Sequence, residues 1–393
     1  MQTLKTDVAV VGLGAMGAAA LYQLALRGID AIGIDRHDPP HEFGSTHGET
    51  RITRQAVGEG DSFAPFVIRS HKIWRALERA TGETLMVSCG GLIIGPEDSR
   101  AAHHKKPDFF RRTIEVAERF GIPHELLARD ELGARFPQFA NLGEHDVAFY
   151  EKGAGYVNPE LCVKVQLAEA RRLGAGILID TDVTGIARTK AGVRISTKTA
   201  EILAEQAIVA AGAWNAKLLG VPFDRLLKVT RQVLHWFETD KPALYAPDVC
   251  PIFIRMFGPA DEDYFYGFPT PAGSTGVKVA TEQYIATTDP DDVTREVAGD
   301  ELRQFHATHV AKYLSHVTAR PIRWKTCLYT EAPGGNFIID RLPGNDRVHV
   351  ISACSGHGFK HSAAIGEAVV ERIVADRIGS WDPLAPFSLD CFR

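Results

Sequence analysis

Three glycines and one aspartate near the N-terminus have the spacing of a dinucleotide-binding turn. Gly12, Gly14 and Gly17 form a GxGxxG pattern, and Asp35 follows at the distance that this pattern requires. The first glycine allows a tight turn, the second lets backbone amides approach a pyrophosphate, and the third lets the helix pack closely on the strand. Asp35 can accept a hydrogen bond from a ribose hydroxyl. The pattern predicts a dinucleotide cofactor; the alternative is a glycine turn with only a structural role.

Basic side chains follow in a long polar stretch directly after Asp35. Arg51 and Arg54 lie there beside His47 and Thr50, within "GSTHGETRITRQAVGEGD". Loops of this length inside a compact domain usually have a function. An arginine considered alone is more often a solvated surface residue. Because the loop follows a predicted cofactor-binding strand, we expect these side chains to lie in the site.

Two further cations occupy positions from which they could serve a site. Lys278 is at the centre of the strand-like run "TGVKVATEQ", where it faces either solvent or, if turned inward, a low-dielectric cavity. Lys360 ends the stretch "SGHGFK", in which Gly356 and Gly358 precede a predicted helix. Such a turn offers amide donors, a helix dipole and a cation to an anionic group. The alternative is a plain helix start.

A cysteine with no apparent partner stands in "KTCLYTEAPGGNFIID". The chain has six cysteines, none of them in a CxxC pair and none with histidines at zinc-finger spacing. This pattern argues against a disulfide framework or a structural metal and favours buried thiols. For Cys327 itself, packing, a metal, a disulfide and an attachment point are the alternatives.

The secondary structure predicted around these residues is that of an α/β protein. Residues 6–35 read as strand, glycine turn, helix and strand, because the apolar run 8–11 suits a strand buried on both faces and 18–26 favours a helix. Residues 177–214 alternate like a β meander whose last strand rejoins the parallel sheet. This arrangement places Gly212 against the cofactor.

The order of the elements predicts a discontinuous architecture. A Rossmann-like cofactor domain comprises residues 1–85, 146–225 and 320–393, and its last segment reads as hairpin, strand, glycine turn and helix. Residues 86–145 and 226–319 form an inserted α+β substrate domain with a mixed antiparallel sheet. Further expected elements are helices near 66–80 and 107–120 and short strands near 85–94.

Composition places the chain among globular proteins. Apolar residues make up 45% of it and charged residues 24%, and the length of 393 residues predicts two domains. The formal net charge of −5 offers no basic field to nucleic acid or to an anionic membrane. The N-terminus lacks a signal-peptide pattern, and no window reaches the roughly 18 consecutive apolar residues of a spanning helix. We expect a cytoplasmic protein without a membrane or nucleic-acid partner.

Five stretches together resemble one family of flavoproteins. They extend from residue 6 to residue 361 and are "VVGLGAMGAAA", "GSTHGETRITRQAVGEG", "YGFP…GVK", "KTCLYT…NFIID" and "SGHGFK". In this order they resemble the monomeric sarcosine oxidase and N-methyltryptophan oxidase family, within the larger D-amino-acid-oxidase-like flavoproteins. The resemblance implies FAD as the cofactor, so that the discontinuous cofactor domain becomes an FAD-binding domain.

The resemblance also implies a role for each matching residue. FAD would be joined through its 8α-methyl group to Cys327, and Arg54 with Lys360 would bind the substrate carboxylate by a fork and a point charge. Lys278 matches the lysine held over the flavin face where oxygen is reduced. The implied catalytic residues are His47, Arg51, Tyr266, Lys278 and Tyr329; the substrate contacts are Arg54, Ile254, Tyr266, Glu282 and Lys360; the cofactor contacts are Gly12, Gly14, Gly17, Asp35, Ser45, Thr50, Arg51, Gly212, Cys327, Gly356, Gly358 and Lys360.

The implied reaction is the oxidation of an amino acid with a secondary amine, such as sarcosine, another N-methyl amino acid or a cyclic imino acid. A hydride equivalent passes from a C–H bond to flavin N5, the imine hydrolyses in water, and oxygen reoxidises the flavin to give hydrogen peroxide. Lys360 and the helix start after Gly358 would stabilise the reduced flavin, and Lys278 the developing superoxide. A monomer is expected.

Two departures from the family pattern concern the substrate. Glu282 stands where a histidine follows the oxygen-site lysine in sarcosine oxidases, and the stretch that contains Ile254 and Arg255 also differs. An anion near the pocket changes which substrates are tolerated. The alternatives are a dehydrogenase with another electron acceptor, an oxidase of a different amine such as a glycated amino acid, a non-catalytic flavoprotein, and a nicotinamide dehydrogenase.

Overall fold

The structure is a computed structural model that describes residues 2–260, 262–375 and 382–392. Its strands, in chain order, are β1 (Gln2–Val11), β2 (Ala31–Ile34), β3 (Arg51–Thr53), β4 (Met86–Val87), β5 (Gly91–Pro96), β6 (Glu125–Ala128), β7 (Asp146–Glu151), β8 (Gly155–Val157), β9 (Gly176–Leu178), β10 (Val183–Arg188), β11 (Val193–Thr197), β12 (Ala200–Val209), β13 (Lys228–Thr239), β14 (Ile252–Met256), β15 (Tyr264–Gly267), β16 (Val277–Ala280), β17 (Val317–Glu331), β18 (Ile338–Leu342) and β19 (Asn345–Ser352). Its α-helices are α1 (Ala15–Leu26), α2 (Ala64–Thr81), α3 (Phe109–Arg119), α4 (Arg129–Arg135), α5 (Pro159–Arg172), α6 (Asn215–Leu219), α7 (Phe223–Leu226), α8 (Gly299–Phe305) and α9 (Ser362–Ala375).

The first sheet is parallel at its centre. Its strands run in the order β9, β2, β1 and β12, and all of these neighbours are parallel. The far edge of β12 pairs with β11 in antiparallel fashion and, further along, with β19 in parallel fashion. Strand β10 pairs with β11 and β18 pairs with β19, both antiparallel. The predicted meander, and the return of its last strand to the parallel sheet, are confirmed.

Burial on both faces explains the apolar run in β1. Val8 and Val10 belong to a core that the sheet shares with α1, α5 and α9, whereas Ala9 and Val11 belong to a second core with β11, β12 and β19. Helix α1 packs between α5 and α9. A Cβ at Gly366 of α9 would lie 2.6 Å from the Cβ of Ala19, so small residues are required where α1 and α9 touch.

The turn between β1 and α1 depends on two glycines. Gly12 has a φ of +87°, and a Cβ there would lie 2.5 Å from the carbonyl oxygen of Ala210. A Cβ at Gly17 would lie 1.7 Å from the carbonyl oxygen of Gly12. Any other L-residue would clash at both positions. The predicted strand–turn–helix–strand unit, with its tight turn and close packing, is therefore confirmed.

The second sheet is mixed and largely antiparallel. Its order is β17, β13, β16, β15, β14, β5, β7 and β6. Strands β14 and β5 are parallel, and the other pairs with a described register are antiparallel. A small third sheet consists of β3, β8 and β4. The predicted fold class, a parallel cofactor sheet with a mixed antiparallel sheet beside it, is confirmed.

Two strands that lie within the predicted cofactor-domain segments pair within the second sheet. Strand β7 pairs with β5 and β6, and β17 pairs with β13 along most of its length, so both belong to the second sheet. The sequence boundaries placed 146–151 and 320–331 in the cofactor domain. Hydrophobic alternation reports that a strand is half buried but does not identify the strand with which it pairs. In other respects the division into domains stays a prediction.

The helices confirm most of the expected local structure. Helices α2 and α3 occupy the stretches expected near 66–80 and 107–120, and β4 with β5 occupy the stretch near 85–94. The turn in "SGHGFK" has Gly356 at a φ of +82° and passes through the 3₁₀ turn Phe359–His361 into α9. Within the three described ranges, no helix combines the length and the apolar character needed to cross a membrane.

Candidate active site

An elongated cavity connects the turn after β1 with the second sheet. Its volume is about 410 Å³; Gly12, Gly14 and Asp35 line one end, and Tyr266 and Glu282 line the other. The first end lies beyond the carboxyl ends of the parallel strands β1, β2 and β12. This is the edge at which open α/β sheets bind their ligands.

Asp35 is held at the first end of the cavity by backbone amides. Its Oδ2 accepts from the N–H of Leu13 at 2.7 Å and its Oδ1 from the N–H of His37 at 2.9 Å. Burial raises the pKa of this carboxyl, but hydrogen bonds from His41 and from the two amides outweigh burial, and the net shift is downward. Asp35 is therefore an anion that fixes the turn and keeps lone pairs for a ligand hydroxyl.

The N-terminus of α1 opens onto the same end of the cavity. Gly14 is the N-cap residue and has no side chain with which to cap the helix, while the N–H of Ala15 donates to the Oγ1 of Thr46 at 3.4 Å. A Cβ at Gly14 would meet the Oγ1 of Thr46 at 3.6 Å, which is an ordinary contact. The start of α1 thus offers open space at Gly14 and the backbone amides of a helix N-terminus, as a phosphate group requires. At Gly12 and Gly17, by contrast, backbone atoms fill that space.

Lys278 is turned inward and fixes the polar loop after β2. Its Nζ donates to the carbonyl oxygens of Gly48 and Thr50, at 2.6 and 2.7 Å, and to the Oγ1 of Thr50 at 3.0 Å. These acceptors match the three hydrogens of an ammonium group. Burial first, and then Arg51, lowers the pKa of Lys278 well below its ordinary value. From the other side, Glu160 of α5 accepts from the N–H of Gly48 at 2.5 Å.

Cys327 is buried one layer behind the cavity surface. Its Sγ lies 3.6 Å from the Nη2 of Arg51 and 3.6 Å from the carbonyl oxygen of Ser45. Arg51 and Ser45 line the cavity, whereas Cys327 does not. Burial raises the pKa of the thiol by more than Arg51 and Lys278 lower it. All six cysteines are free thiols, which removes the disulfide alternative.

Arg54 and Lys360 meet at one buried carboxylate. The Nη2 of Arg54 lies 3.1 Å from the Oε2 of Glu59, and the Nζ of Lys360 lies 2.9 Å from its Oε1. Burial raises the pKa of Glu59, but the two cations outweigh burial and hold it well below its usual range. For Lys360, burial outweighs Glu59 and lowers the pKa to about 8. The buried Nε of Arg54 has no hydrogen-bond partner among the described residues, so a donor is left for a ligand.

Glu282 is the centre of a neighbouring buried cluster. It accepts from the hydroxyls of Tyr264 at 2.6 Å, Tyr329 at 3.0 Å and Tyr284. The Nε2 of His104 lies 3.3 Å from its Oε1. Burial raises the pKa of Glu282, but the charge and hydrogen bond of His104 outweigh burial and lower the pKa to about 2. Glu282 therefore faces the cavity as an ionised carboxylate whose oxygens are already hydrogen-bonded.

Most of the residues predicted from the sequence line this one cavity. They are Gly12, Gly14, Asp35, Ser45, Arg51, Arg54, Gly212, Ile254, Tyr266, Lys278, Glu282, Tyr329, Gly356, Gly358 and Lys360. The structure places the other four behind the surface. Gly17 packs α1 on β1, Thr50 accepts from Lys278, Cys327 lies behind Arg51, and His47 is buried without a partner for its ring nitrogens among the described residues. Burial, and then Arg51, lowers the pKa of His47 to about 3, so this ring is neutral.

Sequence reasoning missed four residues of the site. Glu59, His104, Tyr264 and Tyr284 belong to the two clusters described above. For Glu59 a signal was present, because it lies five residues after Arg54 in a stretch already singled out, and a buried arginine requires an anion. His104 and the two tyrosines belong to no motif.

The chain belongs to the FAD-dependent oxidoreductase family. Residues 7–372, nearly the whole chain, match this family, which is designated DAO. The match agrees with the parallel sheet, the glycine turn and the cavity at its carboxyl edge. FAD is accordingly the cofactor.

Within this family the chain is similar to amine oxidases. It is 34% identical over 387 residues to a monomeric sarcosine oxidase of Streptomyces avermitilis, covering 96% of this chain and 97% of that protein. It is 33% identical to an N-methyl-L-tryptophan oxidase of Yersinia pestis, covering 98% and 99%. The solved structure of NikD, an amino acid oxidase, has a TM-score of 0.83 at 21% identity, covering 98% and 97%, and supports the fold alone. The resemblance seen in the sequence is confirmed.

The residues around the cavity fit FAD. The start of α1 with the open space at Gly14 suits the pyrophosphate, and Asp35 suits the ribose. Polar atoms on the cavity wall have no partner among the described residues: the Oγ1 of Thr330, the Oγ of Ser352 and the Nδ1 of His357. Buried polar groups require hydrogen-bond partners, and a dinucleotide supplies them here.

Alanine at Gly14 and at Gly17 should separate cofactor binding from folding. In Gly14→Ala the methyl group enters the space of the pyrophosphate, so we expect loss of bound FAD and an apoprotein of unchanged melting temperature. In Gly17→Ala it overlaps the carbonyl of Gly12, and we expect the free energy of unfolding to fall by about 3 kcal/mol or more. Flavin absorbance after gel filtration and thermal denaturation of apoprotein measure the two effects.

Gly153→Ala is the control for this pair, because a Cβ at Gly153 meets no atom within 4 Å. This variant should bind FAD and unfold like the parent protein. Full FAD content in Gly14→Ala would contradict the assignment of the space at Gly14 to the cofactor.

Proposed function

We propose that the protein is an FAD-dependent oxidase of amino acids with a secondary amine, such as sarcosine, another N-methyl amino acid or a cyclic imino acid. The similarity to a sarcosine oxidase and an N-methyl-L-tryptophan oxidase supports this substrate class. Dioxygen is the electron acceptor and hydrogen peroxide the product. The enzyme acts as a cytoplasmic monomer on small molecules, as its sequence leads us to expect.

The observation that carries this proposal is the convergence of Arg54 and Lys360 on the carboxylate of Glu59. A guanidinium fork and an ammonium group are the donors that bind carboxylates best. Two cations exceed the single charge of Glu59, and the Nε of Arg54 is unpartnered among the described residues. The geometry therefore supports a substrate that carries a carboxylate, and so an amino acid rather than a simple amine.

The other side chains of the cavity orient the amine. FAD, when bound, accepts two electrons with a hydride equivalent from the C–H bond beside the amine nitrogen. The hydroxyl oxygens of Tyr266 and Tyr329 are 3.4 Å apart on the cavity wall. Because Tyr329 donates its hydrogen to Glu282, its oxygen keeps a lone pair for an amine N–H. Ile254 and Phe268 complete an apolar wall that excludes water.

Anaerobic reduction of the bound flavin tests the substrate class. We expect N-methyl and cyclic amino acids to bleach the flavin, and the matching amines without a carboxylate to leave it oxidised, because they lack the group that Arg54 and Lys360 bind. Admission of air should restore the colour and release one hydrogen peroxide per substrate. Recovery only with an artificial acceptor would identify a dehydrogenase. If no amine bleaches the flavin, the proposed function is wrong.

We also propose that Cys327 carries the flavin through the 8α-methyl group. Arg51, with its Nη2 at 3.6 Å from Sγ, is the cation that stabilises a thiolate at this position. The thiol lies behind Ser45 and Arg51, so the bond requires the Cys327 side chain to turn toward the cavity. Only the layer formed by Ser45 and Arg51 separates the thiol from the cavity surface.

Serine at Cys327 should leave the flavin bound but not covalently attached. After acid precipitation the parent protein should give a yellow pellet, and Cys327→Ser a colourless pellet with the flavin in the supernatant. Cys354→Ser is the matched control, because Cys354 lines the cavity itself and its loss should leave the pellet yellow. A yellow pellet from Cys327→Ser, or a colourless one from Cys354→Ser, would contradict the attachment site.

Lys278 is the residue that we assign to the reaction with oxygen. It is a fully buried cation that lines the cavity, at a position where preorganised positive charge favours electron transfer to oxygen. Its lowered pKa also makes the ammonium group a better proton donor than an exposed lysine. The carbonyls of Gly48 and Thr50 keep its Nζ in place.

Methionine at Lys278 should slow the oxidative half-reaction selectively. We expect reoxidation by dioxygen to slow by about 100-fold or more and anaerobic reduction by substrate to change by less than about tenfold. Stopped-flow measurement of the two half-reactions gives both rates. Lys278→Met also leaves two carbonyls without their donor, at a cost of about 1–3 kcal/mol each, so thermal denaturation must accompany the kinetics. Equal slowing of both half-reactions would contradict the role in oxygen reduction.

A further inference from the structure

His104 enters the cavity on a tight turn. The backbone N–H of His103 donates to the carbonyl of Lys106 at 3.1 Å, and the N–H of Lys106 donates back at 3.0 Å. Between them, His104 and Lys105 have φ values of +51° and +59°, which non-glycine residues rarely adopt. Backbone strain of this kind persists where the surroundings hold it in place.

Two contacts hold this turn against the loop after β17. The Nζ of Lys105 lies 2.6 Å from the Oε2 of Glu331, and the Nζ of Lys106 lies 2.8 Å from the Oδ1 of Asn336. A Cβ at Gly335 would lie 2.2 Å from the carbonyl oxygen of His104, so the two backbones touch there. The imidazole of His104 is thereby fixed in the cavity wall.

The imidazole bridges the two carboxylates of the site. Its Nδ1 lies 3.0 Å from the Oε1 of Glu59, and its Nε2 lies 3.3 Å from the Oε1 of Glu282. A ring that faces a carboxylate at both nitrogens donates at both, and only an imidazolium has two N–H groups. Burial lowers the pKa of His104, but the attraction of Glu282 and the hydrogen bonds to both carboxylates outweigh burial and raise it above its ordinary value.

The charges around His104 add up to a single excess cation. Arg54, Lys360 and His104 are positive, and Glu59 and Glu282 are negative. The imidazoles and phenols that face these five groups are neutral at pH 7, because burial lowers the pKa of the imidazoles and raises that of the phenols; they are His103, His357, His361, Tyr264, Tyr266, Tyr284 and Tyr329. Three further cations lie outside this count: Arg51 and Lys278 line the same cavity, and Lys106 interacts with Glu59 from the His104 turn. One ligand carboxylate therefore neutralises the cluster.

We propose that His104 is a specificity-determining residue of this site, which as an imidazolium joins Glu59 to Glu282 and leaves the cluster of Arg54, Lys360, His104, Glu59 and Glu282 with the one excess positive charge that selects amines carrying a single carboxylate. This inference rests on the proposed function. Amino acids with a second carboxylate bind less well, because the cluster has no second excess cation for the extra charge, which lies near Glu282. His104 and Glu282 are the residues that determine this selection. At the position of Glu282 the sarcosine oxidase pattern has a histidine.

Binding of non-oxidisable carboxylates to the holoenzyme tests this selection. Propanoate and butanedioate differ by one carboxylate and are measured by isothermal titration calorimetry. The parent protein should prefer propanoate. His104→Gln removes the extra positive charge and should weaken propanoate binding by about tenfold or more. Glu282→Gln also removes the main attraction that raises the pKa of His104, so it is measured at a pH low enough to keep His104 protonated; there it adds a net positive charge and should strengthen butanedioate binding by about tenfold or more.

The double variant His104→Gln/Glu282→Gln distinguishes charge from structure. It removes one cation and one anion, so the net charge of the parent cluster is restored, and the preference for propanoate should return. A purely structural role of His104 would make the double variant worse than either single one. Arg111→Gln is the control, because it removes an exposed cation of the neighbouring helix α3 that lies outside the cavity and takes no part in holding the His104 turn, and it should leave both affinities unchanged.

The pH dependence of propanoate binding provides a second measurement. His104 is charged below its raised pKa and Lys360 below a pKa of about 8, so affinity falls as pH rises through each of them. In His104→Gln the decrease that belongs to His104 should disappear, and the decrease near pH 8 that belongs to Lys360 should remain.

The two proposals fail in different ways. If the parent protein binds propanoate but His104→Gln binds it equally well, or the double variant does not recover the preference, the role of His104 is wrong. If the parent protein binds no carboxylate at all, the assignment of Arg54 and Lys360, and with it the proposed function, is wrong.

Discussion

A charge that is buried away from water must be paired, and this requirement organises the interior of the protein. Lys278 is buried and takes its acceptors from the loop after β2, so a segment with little regular structure is fixed by a side chain of the second sheet. Arg54 of that loop and Lys360, which precedes α9, share Glu59. The polar loop, the second sheet and the turn before α9 therefore have one arrangement in which all these charges are satisfied.

The parts of the structure that were predictable from the sequence are those set by local physics. Gly12 and Gly17 are required because backbone atoms occupy the space of a side chain, and a glycine pattern between a strand and a helix records that fact directly. The apolar run of β1 and the small residues of α1 likewise indicate that these elements are buried. Strand pairing cannot be read from a local pattern, so the predicted domain boundaries do not show that β7 and β17 pair within the second sheet.

The site shows the same division. The sequence identified residues in matching stretches, and the structure brings most of them to one cavity. The sequence did not decide whether the Lys278 side chain faces solvent or the interior, because alternation along a strand does not show which face of the sheet is covered. It recognised Glu282 as an unusual anion but not Tyr264 and His104, which help to keep it ionised, since those partners come from other elements. Residue types can be read in isolation, whereas hydrogen-bond partners require the fold.

The pairing of β1 with β12 has a consequence for the order in which the protein assembles. Gln2 lies opposite Ala200, so β1 cannot pair with β12 until about 200 further residues have been synthesised. The charge cluster closes later still, because Lys360 lies about 160 residues beyond Ala200 in the chain. Until then Arg54 and Glu59 have no ammonium partner, and the cavity has no finished wall. The cavity that holds the cofactor also needs the C-terminal part of the chain, because Gly356 and Gly358 line it, so the cofactor site and the carboxylate-binding pocket are completed together.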